Sequence, residues 1–168
     1  MRWTIMQTDT GAGRPLPAGP GIDRELRLAF PGTPLSVRRA LETVMDGLAD
    51  LSLGTVEAGG VELVLAEALN NVVEHAYAGS DPGPVQLCCR HEEDGLHVEI
   101  RDRGREMPDG HIPMADTAPH LPDEAEIAEG GFGWFIIRHL ARDIAYRREA
   151  DMNVLTFRVA VGLRMLRN

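Results

Sequence analysis

Three groups of residues in this 168-residue chain have types and spacings that could do chemistry. Glu67, Asn71 and His75 recur at i, i+4 and i+8. At 100° per residue each step drifts only about 40°, so a helix would carry the three in a row. Val61, Val64, Leu65, Ala68, Leu69, Val72 and Ala76 mark an apolar stripe on the same segment, and the row runs along its flank. A carboxylate there could accept a proton or orient water. The Asn71 oxygen could hold Mg²⁺ beside substrate phosphates, because that hard ion takes oxygen ligands and few protein ones. The plainer alternative is a solvated helix flank with a capping histidine.

The second group lies on a strand. Leu96, Val98 and Ile100 share one face by two-residue periodicity, and Asp102 continues that row. A carboxylate that ends an inward-facing row is costly unless something donates to it. An amino group on a ligand base would serve, and Gly104 just beyond would let a planar ring approach the backbone. The alternative is a strand-end Asp turned to water. The third group is Gly130, Gly131, Phe132 and Gly133 ahead of a helix, where open N–H groups and the positive end of the helix dipole suit phosphate. A plain glycine-rich loop is the competing reading. No strand leads into it, and the chain has no G-x-x-x-x-G-K-[ST] phosphate loop.

Elements that must position these residues follow from the pattern. Seven of the thirteen residues from Asp9 to Gly21 are Gly or Pro, so residues 1–22 read as a flexible arm and residues 23–168 as the domain. Arg24 to Phe30 reads as a strand. Thr33 and Pro34 then offer an N-cap and a first helical position, with Val37, Leu41, Val44, Leu48 and Leu51 as the stripe of a first helix. A second helix is expected after a break at Gly59-Gly60, running to about Tyr77. Val85–Arg90 and Gly95–Asp102 predict a hairpin turned by Glu92 to Gly95. Residues 103–130 carry four prolines and no clear period, and read as a lid. A third helix is expected from Gly133, with Ile136, Ile137, Leu140 and Ile144 on one face, and a last strand over Asn153–Val161. The predicted class is α+β: a two-layer sandwich with three main helices on one face of a mixed, mostly antiparallel sheet.

Composition excludes several functions. All 17 basic residues are arginines against 26 acidic ones, a net charge of −9, which disfavours nucleic acid and anionic membranes. No apolar run approaches the roughly 20 residues of a membrane span, and the N-terminus lacks a basic region followed by an apolar one. Cys88 and Cys89 are adjacent and would point to opposite strand faces, which fits a reducing cytoplasm. None of the three serines sits in G-x-S-x-G, and the six histidines show no H-E-x-x-H or paired Cys/His spacing. His111 and His120 could bind a metal, although solvated loop histidines are the simpler reading.

In combination, Glu67-x-x-x-Asn71-x-x-x-His75, then Asp102-x-Gly104 after a strand, a lid, and Gly131-x-Gly133 opening a helix resembles the GHKL (Bergerat) ATP-binding fold of gyrase and histidine kinases. Residues 65–77 (LAEALNNVVEHAY) and 130–138 (GGFGWFIIR) are similar to the bacterial anti-sigma-factor serine/threonine kinases of partner-switching systems. The resemblance covers roughly residues 25–160. It implies ATP and Mg²⁺ as cofactors and Glu67 as the general base toward a partner's hydroxyl. It further implies Asn71 as the Mg²⁺ ligand and Asp102 as acceptor from the adenine amino group. His75, Gly104, Arg105, Gly131, Phe132 and Gly133 would complete the nucleotide site. The implied partners are a STAS-domain antagonist and a sigma factor or similar regulator, in the cytoplasm, and members of the family commonly form homodimers. One departure stands out: Glu129 occupies the place where some members carry an arginine. Charge on the transferring group would then fall to Mg²⁺, the helix N-terminus and Arg105, and a module that binds nucleotide and holds a partner without phosphorylating it remains the alternative.

Overall fold

The computed structural model describes residues 25–113 and 131–161; the predicted arm, most of the predicted lid, Gly130 and Glu129 lie outside the described residues. Among the described residues the sheet has five strands in the order β1-β2-β3-β5-β4: β1 (Glu25–Pro31), β2 (Pro84–Glu92), β3 (Gly95–Asp102), β4 (Ala141–Glu149) and β5 (Met152–Val159). Every neighbouring pair is antiparallel. Among the described residues three α-helices accompany them: α1 (Pro34–Leu48), α2 (Thr55–Asn71) and α3 (Gly131–Leu140).

Register follows from two-residue alternation. Leu28 faces Leu87, Leu87 faces Ile100 and Ile100 faces Leu155, so one row of side chains crosses four strands on the same face. That face packs against Val37, Val44 and Leu48 of α1, Val61, Val64, Leu65, Ala68 and Leu69 of α2, and Trp134 and Ile137 of α3 in one core. The opposite face carries alternating charge, with Arg101 bonded to Glu99 at 2.8 Å and Arg27 paired with Glu25. Cys89 is buried and Cys88 is half-buried beside the Glu25 carboxylate; both are free, as adjacent strand residues must be. Among the described residues no helix is long and apolar enough to cross a membrane.

The helix starts are where sequence and structure differ most usefully. α1 begins as expected, with Thr33 accepting from the Ser36 amide at 3.2 Å and Pro34 in its first turn. It ends at Leu48, and Leu51 sits in a short 3₁₀ turn. α2 begins at Thr55, so Gly59 and Gly60 lie inside the helix instead of breaking it. Two interior glycines cost about 2 kcal/mol against alanine. Glu57 offsets part of this by accepting from the Gly54 amide at 2.9 Å, and the fully buried Val61, Val64 and Leu65 hold the next turn against the sheet. After Asn71 the helix widens into a π turn, Val72–Ala76, closed by the Tyr77 amide on the Val72 carbonyl at 3.1 Å.

α3 already includes Gly131, two residues ahead of the expected start, and stops at Leu140. Ile144 belongs to β4, a strand absent from the sequence reading. Its spacing from Leu140 imitates a helical step, yet Ile144, Tyr146 and Arg148 alternate with exposed neighbours as a sheet edge requires. A register shift between Arg142 and Ala145, with Asp143 at φ 54°, marks where the chain leaves the helix.

Gly95 closes the β2–β3 hairpin at φ +133°, and a Cβ there would stand 2.3 Å from the Val159 carbonyl oxygen. Gly95→Ala is expected to lower stability by about 2–4 kcal/mol from strain and overlap together. Gly59→Ala, where an added Cβ meets open space, is expected to raise it by about 0.5–1 kcal/mol through helix propensity. Urea denaturation of the two variants against the parent measures both.

Candidate functional site

The site is built from the outer flank of α2, the end of β3 and the first turn of α3. Glu67 and Asn71 are half-buried on α2, one helical step apart. α3 crosses them at Gly133: a Cβ on that glycine would lie 2.7 Å from Glu67 Oε2 and 3.8 Å from Asn71 Nδ2. With glycine here the α3 backbone comes this close while the carboxylate keeps its place, whereas a methyl group would push the carboxylate end aside. The Asn71 Nδ2 atom is buried, with no hydrogen-bond partner among the described residues. Such an orphan costs roughly 1–3 kcal/mol, so the amide is built for something that arrives later. Its oxygen and nitrogen are isosteric, and a half-turn of the amide exchanges them. An amide oxygen and a carboxylate on one helix flank are the kind of donors a hard cation such as Mg²⁺ takes.

Gly131 and Gly133 are the first turn of α3 and not a loop ahead of it. Their N–H groups therefore belong to the set that a helix leaves without internal acceptors, at the positive end of its dipole. Phe132 between them is half-exposed and tilts against Phe135, ring centroids 5.9 Å apart. His75 lies in the π turn that follows Asn71 and is exposed.

Asp102 is where the strand pattern placed it, at the inward end of β3, and it is buried. Its Oδ1 accepts from the Gly104 amide at 2.8 Å and from Asn153 Nδ2 at 2.8 Å. Burial pushes the Asp102 carboxyl above the ordinary carboxylate range, while the bonds from Asn153 and Gly104 and the charge of Arg148 oppose that shift. Gly104 lies against the π turn that follows α2, where a Cβ would stand 2.5 Å from the Ala76 carbonyl oxygen. The Arg105 amide donates to that same oxygen at 2.7 Å, and the exposed Arg105 guanidinium donates to the Ala78 carbonyl at 3.2 Å. The stretch from Glu67 to Ala76 thus links the carboxylate–amide pair to the Asp102 corner.

Four contributors escaped the sequence reading. Asn153 bonds Asp102; Arg148 donates to Asn153 Oδ1 at 2.6 Å and to the Gly104 carbonyl at 2.9 Å. Tyr146 donates to Asn153 Oδ1 at 2.7 Å and accepts from the Met107 amide at 3.2 Å. Tyr77 donates to the Pro84 carbonyl at 3.0 Å and accepts from the Arg103 amide at 3.2 Å, and its burial pushes the phenol pKa up. Arg148 and Tyr146 were out of reach because their strand was not recognised. The signal for Asn153 was a polar residue two positions ahead of the buried Leu155 and in phase with it.

Comparison with known proteins adds to this geometry. Residues 30–159 match the family model described as the histidine kinase-like ATPase domain. The chain is 29% identical over 97 residues to the serine-protein kinase RsbW of Oceanobacillus iheyensis, covering 56% of this chain and 61% of that one. It is 31% identical over 91 residues to the serine/threonine-protein kinase BtrW of Bordetella bronchiseptica, covering 54% and 61%. To the anti-sigma F factor of Bacillus licheniformis it is 26% identical over 134 residues, covering 78% and 88%. The match thus spans about three fifths of the length of the first two relatives. A crystal structure of the RsbU and RsbW domains of a Mycobacterium tuberculosis protein shares the fold, with a TM-score of 0.56 at 15% identity over 82% of this chain and 33% of that one.

The two close-packed glycines should respond differently to a methyl group. Gly104→Ala meets backbone that cannot turn aside, and is expected to cost about 1–3 kcal/mol and to abolish hydrogen-exchange protection of the Arg105 amide. Gly133→Ala meets the far end of a flexible carboxylate, and should leave stability within about 1 kcal/mol of the parent. Amide exchange and denaturation on the two variants check both outcomes.

Proposed function

The chain belongs to the histidine kinase-like ATPase family, and from that premise we propose that it is an ATP- and Mg²⁺-dependent serine/threonine kinase of the anti-sigma-factor type. The observation that supports this reading most is the Glu67–Asn71 pair closed over by the Gly133 backbone, with an unpartnered amide at its centre. On this reading the substrate is a hydroxyl of a STAS-domain antagonist, and the regulator held is a sigma factor or a similar protein. The proposed setting is the cytoplasm and the proposed state a homodimer.

Each residue has a role within reach of its chemistry. Glu67 takes the proton of the partner's hydroxyl as that oxygen bonds to the terminal phosphorus and the bridging bond to ADP breaks. Asn71 offers its amide oxygen to Mg²⁺, which when bound neutralises charge on the phosphates. The amides of Gly131 and Gly133 face anionic oxygens from the helix N-terminus. Asp102 accepts from the adenine amino group, Gly104 lets the ring approach, and Phe132, His75 and Arg105 border the nucleotide.

A second reading has its own support. Glu129 places an acidic residue immediately before the glycine turn, which opposes charge build-up on a transferring phosphoryl group. A protein that binds nucleotide and holds its partner without phosphorylating it would tolerate that residue.

Incubation with γ-labelled ATP, Mg²⁺ and the STAS protein encoded nearest to it separates the two. Kinase action labels a Ser or Thr, and Glu67→Gln is expected to lower the rate by about 10²-fold or more, with ATP affinity changed less than about threefold. Undiminished labelling by Glu67→Gln would remove Glu67 as the base. Tight partner binding with no transfer selects the holding module.

A further inference from the structure

Asn153 is 4% exposed and has all four of its side-chain hydrogen-bonding positions filled. Its Nδ2 donates to Asp102 Oδ1 at 2.8 Å and to the Arg105 carbonyl at 3.0 Å. Its Oδ1 accepts from Arg148 at 2.6 Å and from the Tyr146 hydroxyl at 2.7 Å. The surroundings therefore dictate which way the amide points: a flipped amide would set oxygen against a carboxylate and a carbonyl, and NH₂ against two donors. Both bonds to Asp102 converge on one oxygen, Oδ1.

We propose that Asn153 is the positioning residue that holds Asp102 as a hydrogen-bond acceptor, with Oδ1 engaged and Oδ2 left for the ligand, and so sets a preference for a 6-amino over a 6-oxo purine. The proposal rests on the ATP reading of this site. An ionised Asp102 accepts from an exocyclic amino group; a protonated one becomes a donor, matched to the oxygen of hypoxanthine. Burial drives the carboxyl toward the protonated form, and Asn153 stands first among the groups opposing it. The other groups that act on Asp102 are the Gly104 amide, Arg148 from β4 and Tyr77 from just after the π turn, with Arg103 next along the chain.

The sign follows for two substitutions. Asn153→Leu removes a donor, so the Asp102 carboxyl titrates higher still, and affinity for the amino purine recovers as pH rises. Asn153→Asp keeps the shape but puts a second carboxyl beside the first. That pair works while it shares a proton and fails as pH rises and both ionise.

Competition against a fluorescent methylanthraniloyl-ADP, with ADP and inosine diphosphate as competitors from pH 5.5 to 8.5, tests this on the full chain. The parent is expected to prefer ADP throughout. Asn153→Leu should cut that preference about tenfold at pH 6, the worth of one buried hydrogen bond, and regain it toward pH 8. Asn153→Asp should show the opposite slope, and it decides the matter alone if Asn153→Leu does not fold. Equal weakening of both nucleotides at every pH would make Asn153 merely structural and overturn the proposal. An unchanged ADP-to-inosine ratio in a folded variant would do the same while leaving ATP binding standing. A parent that binds neither nucleotide takes down the ATP reading and this inference together.

Discussion

The rotation of α2 about its own axis is the constraint on which the rest depends. Val61, Val64, Leu65, Ala68 and Leu69 have no exposed surface, and each of the larger four is worth about 1.5–3 kcal/mol when buried. Turning the helix by one residue, 100°, would lift most of that row off the sheet. With the row pinned, Glu67 and Asn71 have only the flank left to them, and α3 crosses there at Gly133. The carboxylate–amide pair is thus held by the same apolar contacts that stabilise the domain, and it needs no support of its own beyond a backbone close enough to shield it.

The Asp102 corner works differently, because its constraint is polar. A buried carboxylate is costly unless hydrogen-bond donors are aimed at it. Asn153 meets that demand by joining β5 to β3, and it is itself held by Tyr146 and Arg148 from the edge strand β4. The same two side chains clamp the loop after β3 through Met107 and Gly104. Edge strands are the least constrained members of a sheet. Here the edge carries the groups that orient the corner, and β4 begins with a register shift and a positive φ where it leaves α3 directly.

What was legible in the sequence tracks which of these two kinds of force is at work. Apolar periodicity placed α1, α2, β2, β3, the helix row of Glu67 and Asn71 and the strand row that Asp102 ends, because burial is written into residue type at fixed intervals. It failed where geometry was local. The π turn after Asn71 is a backbone feature with no compositional signature, and the Gly59-Gly60 pair reads as a break by propensity yet lies inside α2, because tertiary packing on Val61 to Leu65 outweighs propensity. β4 was lost because Ile144 follows Leu140 by four residues, a helical interval produced by a helix running straight into a strand. The Asn153 hub went with it, since a polar residue shows its worth only once its partners are known.

Charge ties the two halves together. The chain has no lysine and a net charge of −9, with eight acidic residues and two arginines between Asp102 and Gly130. The arginines that reach this site are engaged with the protein itself: Arg105 with the Ala78 carbonyl, Arg148 with Asn153 and the Gly104 carbonyl. On the proposed reading, a polyphosphate must therefore be held chiefly by N–H groups at the start of α3 and by a divalent ion at Asn71. Both are fixed dipoles or hard charges supplied at one spot, in contrast to a field of mobile side-chain cations. Such a site binds by geometry first, and its affinity should depend far more on the metal than on ionic strength, because few of its contacts are screened long-range charge pairs.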